Sequence, residues 1–295
     1  MGRSTTAPRI WDVGGSRFVG ETRLIAELTA ARYRLLGEVH DNAAHHEIRA
    51  RLIVAIAEAG WRPTVVFEQF DLDRDEALRA AQAAGADAER LAEAGQLDRK
   101  AWLWPLHKPI LEAALAMRLP VRAGNPSRAE LSDLTAAVDK DTESGRYTRF
   151  HAARWTETQA AELRSDIIES HCRKLPEAMV PRLVLAQRLR DAAMAQSLID
   201  DATSGGAILI AGNGHVRADL AVPVYLHAPG LPDAAARSIS VGFIEVSADD
   251  ERADHFPSQV VAAHPGFDYL WFTPPVARED PCAGFSVPAA RSDGH

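Results

Sequence analysis

Between Tyr33 and Phe67 an apolar run, a segment with apolar residues at helical spacing and a second apolar run follow one another. Tyr33 to Leu36 read as a buried strand, and Gly37, without a Cβ, permits a tight exit. Asp41 or Asn42 then serves as a helix N-cap. Behind it Ile48, Leu52, Ala55, Ile56 and Ala59 define a core-facing stripe, which Gly60 and Pro63 terminate. Thr64 to Phe67 form the next strand, ending in Glu68. Strand, helix and strand in this order make a βαβ unit, whose strands run parallel with a right-handed crossover. The expected fold is therefore α/β: a mostly parallel central sheet flanked by helices.

The rest of the chain extends that pattern. Arg9 to Val13 read as a short strand turning at Gly14-Gly15, and Glu21 to Ala31 as a helix. Asp71 to Ala94 and Pro109 to Arg118 are helical, with an aromatic loop at Trp102 to Pro105 between them and a strand at Pro120 to Gly124 after them. From Leu131 to Asp200 no strand is legible. Phe150 to Cys172 and Pro181 to Ile199 look like long helices, Gly145 marks a break, and residues 131–202 are expected to be an inserted helical lobe. Ala207 to Ala211 are the clearest buried strand, with Val222 to Leu226, Ser240 to Val246 and Tyr269 to Phe272 as further candidates. The whole chain reads as one domain, with a core at 1–130 and 203–273 and an irregular tail at 274–295.

The net charge of −8 argues against nucleic acid as a partner, because that binding needs a basic face. No apolar run reaches membrane-spanning length, and the first residues show neither a signal core nor a lipidated cysteine, so the expectation is a cytoplasmic protein, or a cell-envelope one if a signal was removed. Cys172 and Cys282 could form one long-range disulfide; two free thiols in a reducing compartment are the expectation.

Polar groups close three of the strands: Glu38 with His40, Glu68, and His215 after Gly212-Asn213-Gly214. In an open parallel sheet, ligands bind at the C-terminal strand ends. If these strands are neighbours, Glu38, His40, Glu68 and His215 meet in one cleft. Carboxylate and imidazole suit divalent zinc, manganese, iron or cobalt, and also general acid–base work. His45 and His46 stand in the first helical turn, where the helix dipole disfavours imidazolium and favours the neutral, ligating form. At least one of these two is expected to be solvated. Trp102, Trp104, Met179 and Met194 read as packing residues, and His107 carries no readable role.

These residues together resemble a known family. Gly37 to Asn42 with His45-His46, Phe67-Glu68, Trp104-Pro105, His171-Cys172, Gln187, Arg190-Asp191, Met194-Ala195, Gly212 to Arg217 and Val222-Pro223 look like the ChaN-like haem-binding uptake proteins of the Tiki and erythromycin-esterase-like superfamily. The similarity runs from about Ile10 to Phe272. It implies haem binding, often by a dimer, linked to iron acquisition. Haem would need an axial His or Tyr and cations for its propionates; His45, His46, Tyr225, Arg217 and Trp104 are the candidates. The wider superfamily implies instead a hydrolase of an ester or peptide bond, metal-dependent in the Tiki-like members. There His46 or Glu68 would activate water, and His215 or Arg217 would steady the oxyanion. A catalytically silent dimeric scaffold is the remaining alternative.

Overall fold

A computed structural model of the chain describes residues 9–138, 155–231, 234–251, 256–264, 266–280 and 282–283. The expected βαβ unit is present. Strand β3 (Tyr33–Leu36) leads through helix α2 (Ala43–Glu58) to β4 (Thr64–Asp71). Ahead of it lie β1 (Arg9–Asp12), β2 (Arg17–Val19) and α1 (Glu21–Ala30). After it come α3 (Asp75–Ala83), α4 (Ala88–Ala94), α5 (Lys108–Ala116) and β5 (Val121–Asn125). Helices α6 (Arg128–Val138), α7 (Glu157–Ser170) and α8 (Val180–Asp200) precede β6 (Ala207–Ile210). The chain then runs through α9 (Asn213–Val216), α10 (Val222–Leu226), β7 (Ser238–Glu245) and β8 (Tyr269–Thr273). The start expected for α7 at Phe150, and the break at Gly145, lie outside the described residues.

The eight strands form one sheet in the order β2-β1-β8-β7-β3-β6-β4-β5. Strands β3 to β8 are mutually parallel, and the β1-β2 hairpin adds an antiparallel edge. Strand β6 is thus inserted between β3 and β4, so three polar strand ends from distant parts of the sequence become neighbours. Alternate residues face opposite layers. Leu36, Ile208, Ile210, Val241 and Trp271 join one core beneath α1, α2 and α5, whereas Tyr33, Leu35, Val66, Ala207 and Leu209 join another beneath α8 and α10. The buried face of α8, Ala192 to Ala195 with Leu198, supplies the second layer directly on the sheet.

Several expectations are corrected. Val222 to Leu226 form a helix: Pro223 occupies its first turn, where a fixed φ suits a helix, and Val222, Tyr225 and Leu226 pack beneath α8. The β1-β2 hairpin is longer than read, since three residues at Arg17–Val19 are too few to show a period. Met179 is exposed rather than core. Cys172 and Cys282 are joined in a disulfide across 110 residues of sequence, a separation that leaves no local pattern. Among the described residues, no helix is long and apolar enough to cross a membrane.

Gly37 is required by close approach. A Cβ there would meet Asn213 Oδ1 at 2.2 Å, Val216 Cγ2 at 2.9 Å and the Val241 carbonyl at 3.0 Å. Gly37→Ala is expected to cost about 1–3 kcal/mol by overpacking, read as a lowered urea midpoint with an unchanged slope. A midpoint equal to wild type would contradict the tight seat of α9 against β3.

Candidate functional site

Strand β4 outruns its neighbour: pairing with β6 ends at Phe67 and Ile210, and Glu68 stands just beyond. Beside it Gly212 donates its N–H to Glu68 Oε2 at 2.8 Å. Asn213 then bonds both the N–H and the carbonyl of Phe243 with its side-chain amide, at 3.1 and 2.7 Å, as a strand neighbour would. This fixes α9 and with it His215. On the other flank the Asn42 side chain caps α2 at the Ala44 N–H, 3.0 Å away, and sets the turn that carries His40.

The polar residues fall into two adjoining groups. The first surrounds Glu38, whose side chain is fully buried. Arg49, also fully buried, donates through Nη2 to Glu38 Oε2 and to His46 Nδ1. His40 Nδ1 lies 2.6 Å from Glu38 Oε1, and its ring, 46% exposed, lies at the mouth edge-on to Trp102. His107, buried beneath the same Trp102, places Nε2 3.2 Å from Glu38 Oε1. The ligating atoms of Glu38, His40 and His107 all lie within 4.8 Å of one another. Gln69 Nε2 is 3.4 Å from Glu38 Oε1, while its own buried Oε1 has no hydrogen-bond partner among the described residues.

The second group is a carboxylate–imidazole–carboxylate line. His215 Nδ1 is 2.6 Å from Asp191 Oδ1, and its Nε2 is 3.3 Å from Glu68 Oε1. Burial opposes charge on His215, but Glu68 and Asp191 outweigh it and hold the ring protonated well above the usual imidazole range. Burial likewise opposes charge on Glu68, and His215 reverses the balance, so that carboxyl is depressed. For Asp191 burial wins, and its carboxyl is raised. Gly212 is the seam between the groups: a Cβ there would meet His40 Cε1 at 3.1 Å and Nε2 at 3.2 Å.

The four residues expected as one ligand set are therefore divided, Glu38 and His40 with His107, and Glu68 and His215 with Asp191. His107 and Arg49 escaped sequence reasoning because each reaches Glu38 from a separate helix or loop. Asp191 was legible only as part of the family-like pattern. His45 and His46 are both buried, contrary to the solvated turn expected for one of them. Val39 N–H donates to His45 Nδ1 at 2.9 Å, and His45 Nε2–H donates to Thr273 Oγ1 at 2.7 Å, so neither nitrogen is open to a haem iron. His46 Nε2–H donates to the His40 carbonyl at 2.9 Å. Tyr225 is buried against Trp155, and the Arg188 guanidinium lies 4.6 Å from the Trp155 ring centroid. Arg217 is held by Glu162, Asp166 and Asp219. Trp104 Nε1–H donates to Glu89 Oε1 at 3.2 Å, and Arg99 lies over its ring. Those residues do not converge on one haem-sized slot.

The neutral form expected for the first-turn imidazoles is present, with burial as its main cause. Desolvation lowers His45 to about 4 and His46 to about 3, and it lowers His107 to about 3 with help from Arg49 and His40.

Residues 24–226 match the family described as haem-binding uptake, Tiki superfamily, ChaN. A solved structure titled as cofacial heme binding to ChaN of Campylobacter jejuni superposes with a TM-score of 0.72 at 19% identity, covering 90% of this chain and 97% of that one. The type III effector HopBA1 superposes with a TM-score of 0.41 at 13% identity, covering 76% of this chain and 82% of that one. No curated protein matches.

The buried histidines dictate an acid limb of stability. Unfolded, each takes up a proton near pH 6.5; folded, each resists until far lower pH. Their contribution is present above about pH 6.5 and is lost as pH falls towards their folded values. Urea unfolding of metal-free protein at about pH 7 and about pH 5 should show this loss, and His45→Gln should reduce it by about one proton. An undiminished slope in that variant would remove His45 from the account.

Proposed function

This chain belongs to the haem-binding uptake family of the Tiki superfamily, and we propose that, within that haem-binding, uptake-related role, its strand-end cleft is a divalent metal centre formed by Glu38, His40 and His107. One observation carries the reading. His107 Nδ1 lies 2.9 Å from the Trp102 carbonyl, which only accepts, so that nitrogen holds the ring's proton. Neutral His107 therefore points a bare Nε2 at a carboxylate oxygen 3.2 Å away. Two acceptors facing each other at this distance call for a cation between them.

The donor set fits a bare ion. Imidazole and carboxylate ligands at bonds of about 2.0–2.2 Å stand roughly 3 Å apart around zinc, iron, manganese or cobalt. The separations of 2.6 and 3.2 Å about Glu38 Oε1 bracket that spacing. The Trp102 carbonyl would orient His107 from behind, and Arg49 would do so for Glu38, as outer partners do in metal sites. The unpartnered Gln69 Oε1 is a further oxygen at the same place after a turn of its amide. The set does not fit haem. A porphyrin leaves its iron only axial positions, whereas these three atoms converge on one point. The family's haem-binding role is accordingly assigned to the chain and not to this cleft. The disulfide supports an oxidising compartment such as the cell envelope.

A hydrolase is the second reading, favoured by the line Asp191–His215–Glu68 beside the same mouth. The ion would supply Lewis acidity. Glu68, ionised, would take a proton from water, and protonated His215 would stabilise developing negative charge.

Calorimetric titration of metal-free protein with Zn(II) should give one site, weakened at least about tenfold in His107→Ala and in His40→Ala. A haemin titration followed in the Soret region should saturate equally in wild type and His107→Ala. Zn(II) affinity indifferent to both substitutions would sink the metal centre, and a Soret shift lost in His40→Ala would put haem in the cleft after all. Cleavage of an ester or peptide panel, abolished by Glu68→Gln with Zn(II) binding retained, would establish the second reading; a silent panel would remove it.

A further inference from the structure

We propose that the Cys172–Cys282 disulfide is a redox latch on the cleft, closing a strap that grips the turn carrying His40 and opening when a dithiol reduces it. The inference concerns the regulation of the cleft just described and rests on the metal reading only for one of its two readouts.

The strap is the segment that leaves β8 at Thr273, on the same edge of the sheet as the cleft. Its first contacts are at the base of α2. The Pro274 carbonyl accepts from Asn42 Nδ2 at 3.2 Å, and the Val276 N–H donates to Glu245 Oε1 at 3.2 Å. Asn42 Nδ2 also donates to Glu245 Oε1, at 2.7 Å. Arg278 then spans two carboxylates. It donates to both oxygens of Asp41 at 2.8 Å and to both oxygens of Glu245 at 2.6 and 2.8 Å. Asp41 is the residue next after His40. Beyond Arg278 the strap ends in its covalent anchor at Cys282, whose carbonyl accepts from Lys174 Nζ at 2.9 Å. The anchor point lies just past α7, where Cys172 and Arg173 both hold positive φ, at 60° and 54°. Side chains rarely settle there without being held.

The strap thus has one end fixed in the sheet, the other fixed by the disulfide, and an ionic grip between them on the wall of the cleft. With both ends fixed, fewer strap conformations compete with the grip, which raises the effective concentration at which it re-forms. Arg278 and Asp41 are each about one-third exposed, and exposed pairs of this kind contribute little by themselves. Their persistence depends on the tether. Cys282 lies outside residues 24–226, which carry the family match. In the reductive step, two electrons and two protons pass from the dithiol to the cysteine sulfurs. The products are two thiols and the reductant's own disulfide.

Hydrogen exchange of the full chain over the first minute, oxidised and after dithiothreitol, tests the latch. Reduction should speed exchange about tenfold in residues 276–280 and 38–43 while leaving β6 protected. Release of Zn(II) to a chelator should accelerate by a similar factor. The Cys172→Ser/Cys282→Ser variant should behave as reduced protein whether or not dithiol is added. Arg278→Ala, with the disulfide intact, should loosen residues 38–43 alone. Unchanged exchange at 38–43 on reduction overturns the proposal, as does a rise in β6 equal to that of the strap. A chain that binds no Zn(II) but shows the exchange response keeps the latch and loses the metal centre.

Discussion

Burying Glu38 is the act around which this molecule is arranged. A carboxylate withdrawn from water is costly unless it is paired and hydrogen-bonded. Here Arg49 brings the compensating charge from one turn further along α2, and His40, His46, His107 and Gln69 close around the same carboxylate. The consequence reaches outward. Arg49 is itself fully buried, so α2 must lie tight against the sheet, and His107 must be delivered from the loop ahead of α5. Removing Glu38 would leave a buried guanidinium without its counter-ion, a larger disturbance than the loss of one hydrogen bond.

The sheet explains why two polar groups, and not one, occupy the cleft. Strand β6 sits between β3 and β4, so the turn leaving β6 separates the residues at the ends of its two neighbours. Gly212 fills that position with the least possible bulk and lends its N–H to Glu68. His215 is then turned towards Glu68 and Asp191, where it is held as a cation, while His107 and His46 on the other side are held neutral. Imidazoles of opposite charge state thus stand within one cleft, separated by a glycine backbone. Such a separation of states by environment is how a fold prepares neighbouring groups for different tasks.

Much of this was legible in the sequence where the signal was local. The βαβ unit, a cap at Asp41 or Asn42 and the polar strand ends all come from patterns a few residues long, and the cap proves to be Asn42. The family resemblance was legible too, because its motifs are strung in order along most of the chain. What escaped was non-local. His107 looks like any loop histidine until β3, α2 and the Trp102 turn are brought together. Whether β6 lies beside β3 or at an edge is a property of the sheet, not of the segment Ala207 to Ile210. The strand expected at Val222 misled because its β-branched residues outweighed a proline that suits a helix start. The disulfide was missed for the plainest reason: nothing near either cysteine points to the other.

Asn42 links three parts of the chain that are made far apart in time. Its oxygen starts α2, and its nitrogen reaches the end of β7 and the residue after β8. His45, one turn on, reaches Thr273 at the end of β8. A chain growing from its N-terminus therefore carries β3, α2 and Glu38 long before the groups that fix the turn between them exist. Until the last strands arrive, that turn lacks its far partners and the cleft its wall. A partly made chain thus offers scattered histidines, and the cleft exists only in the finished molecule.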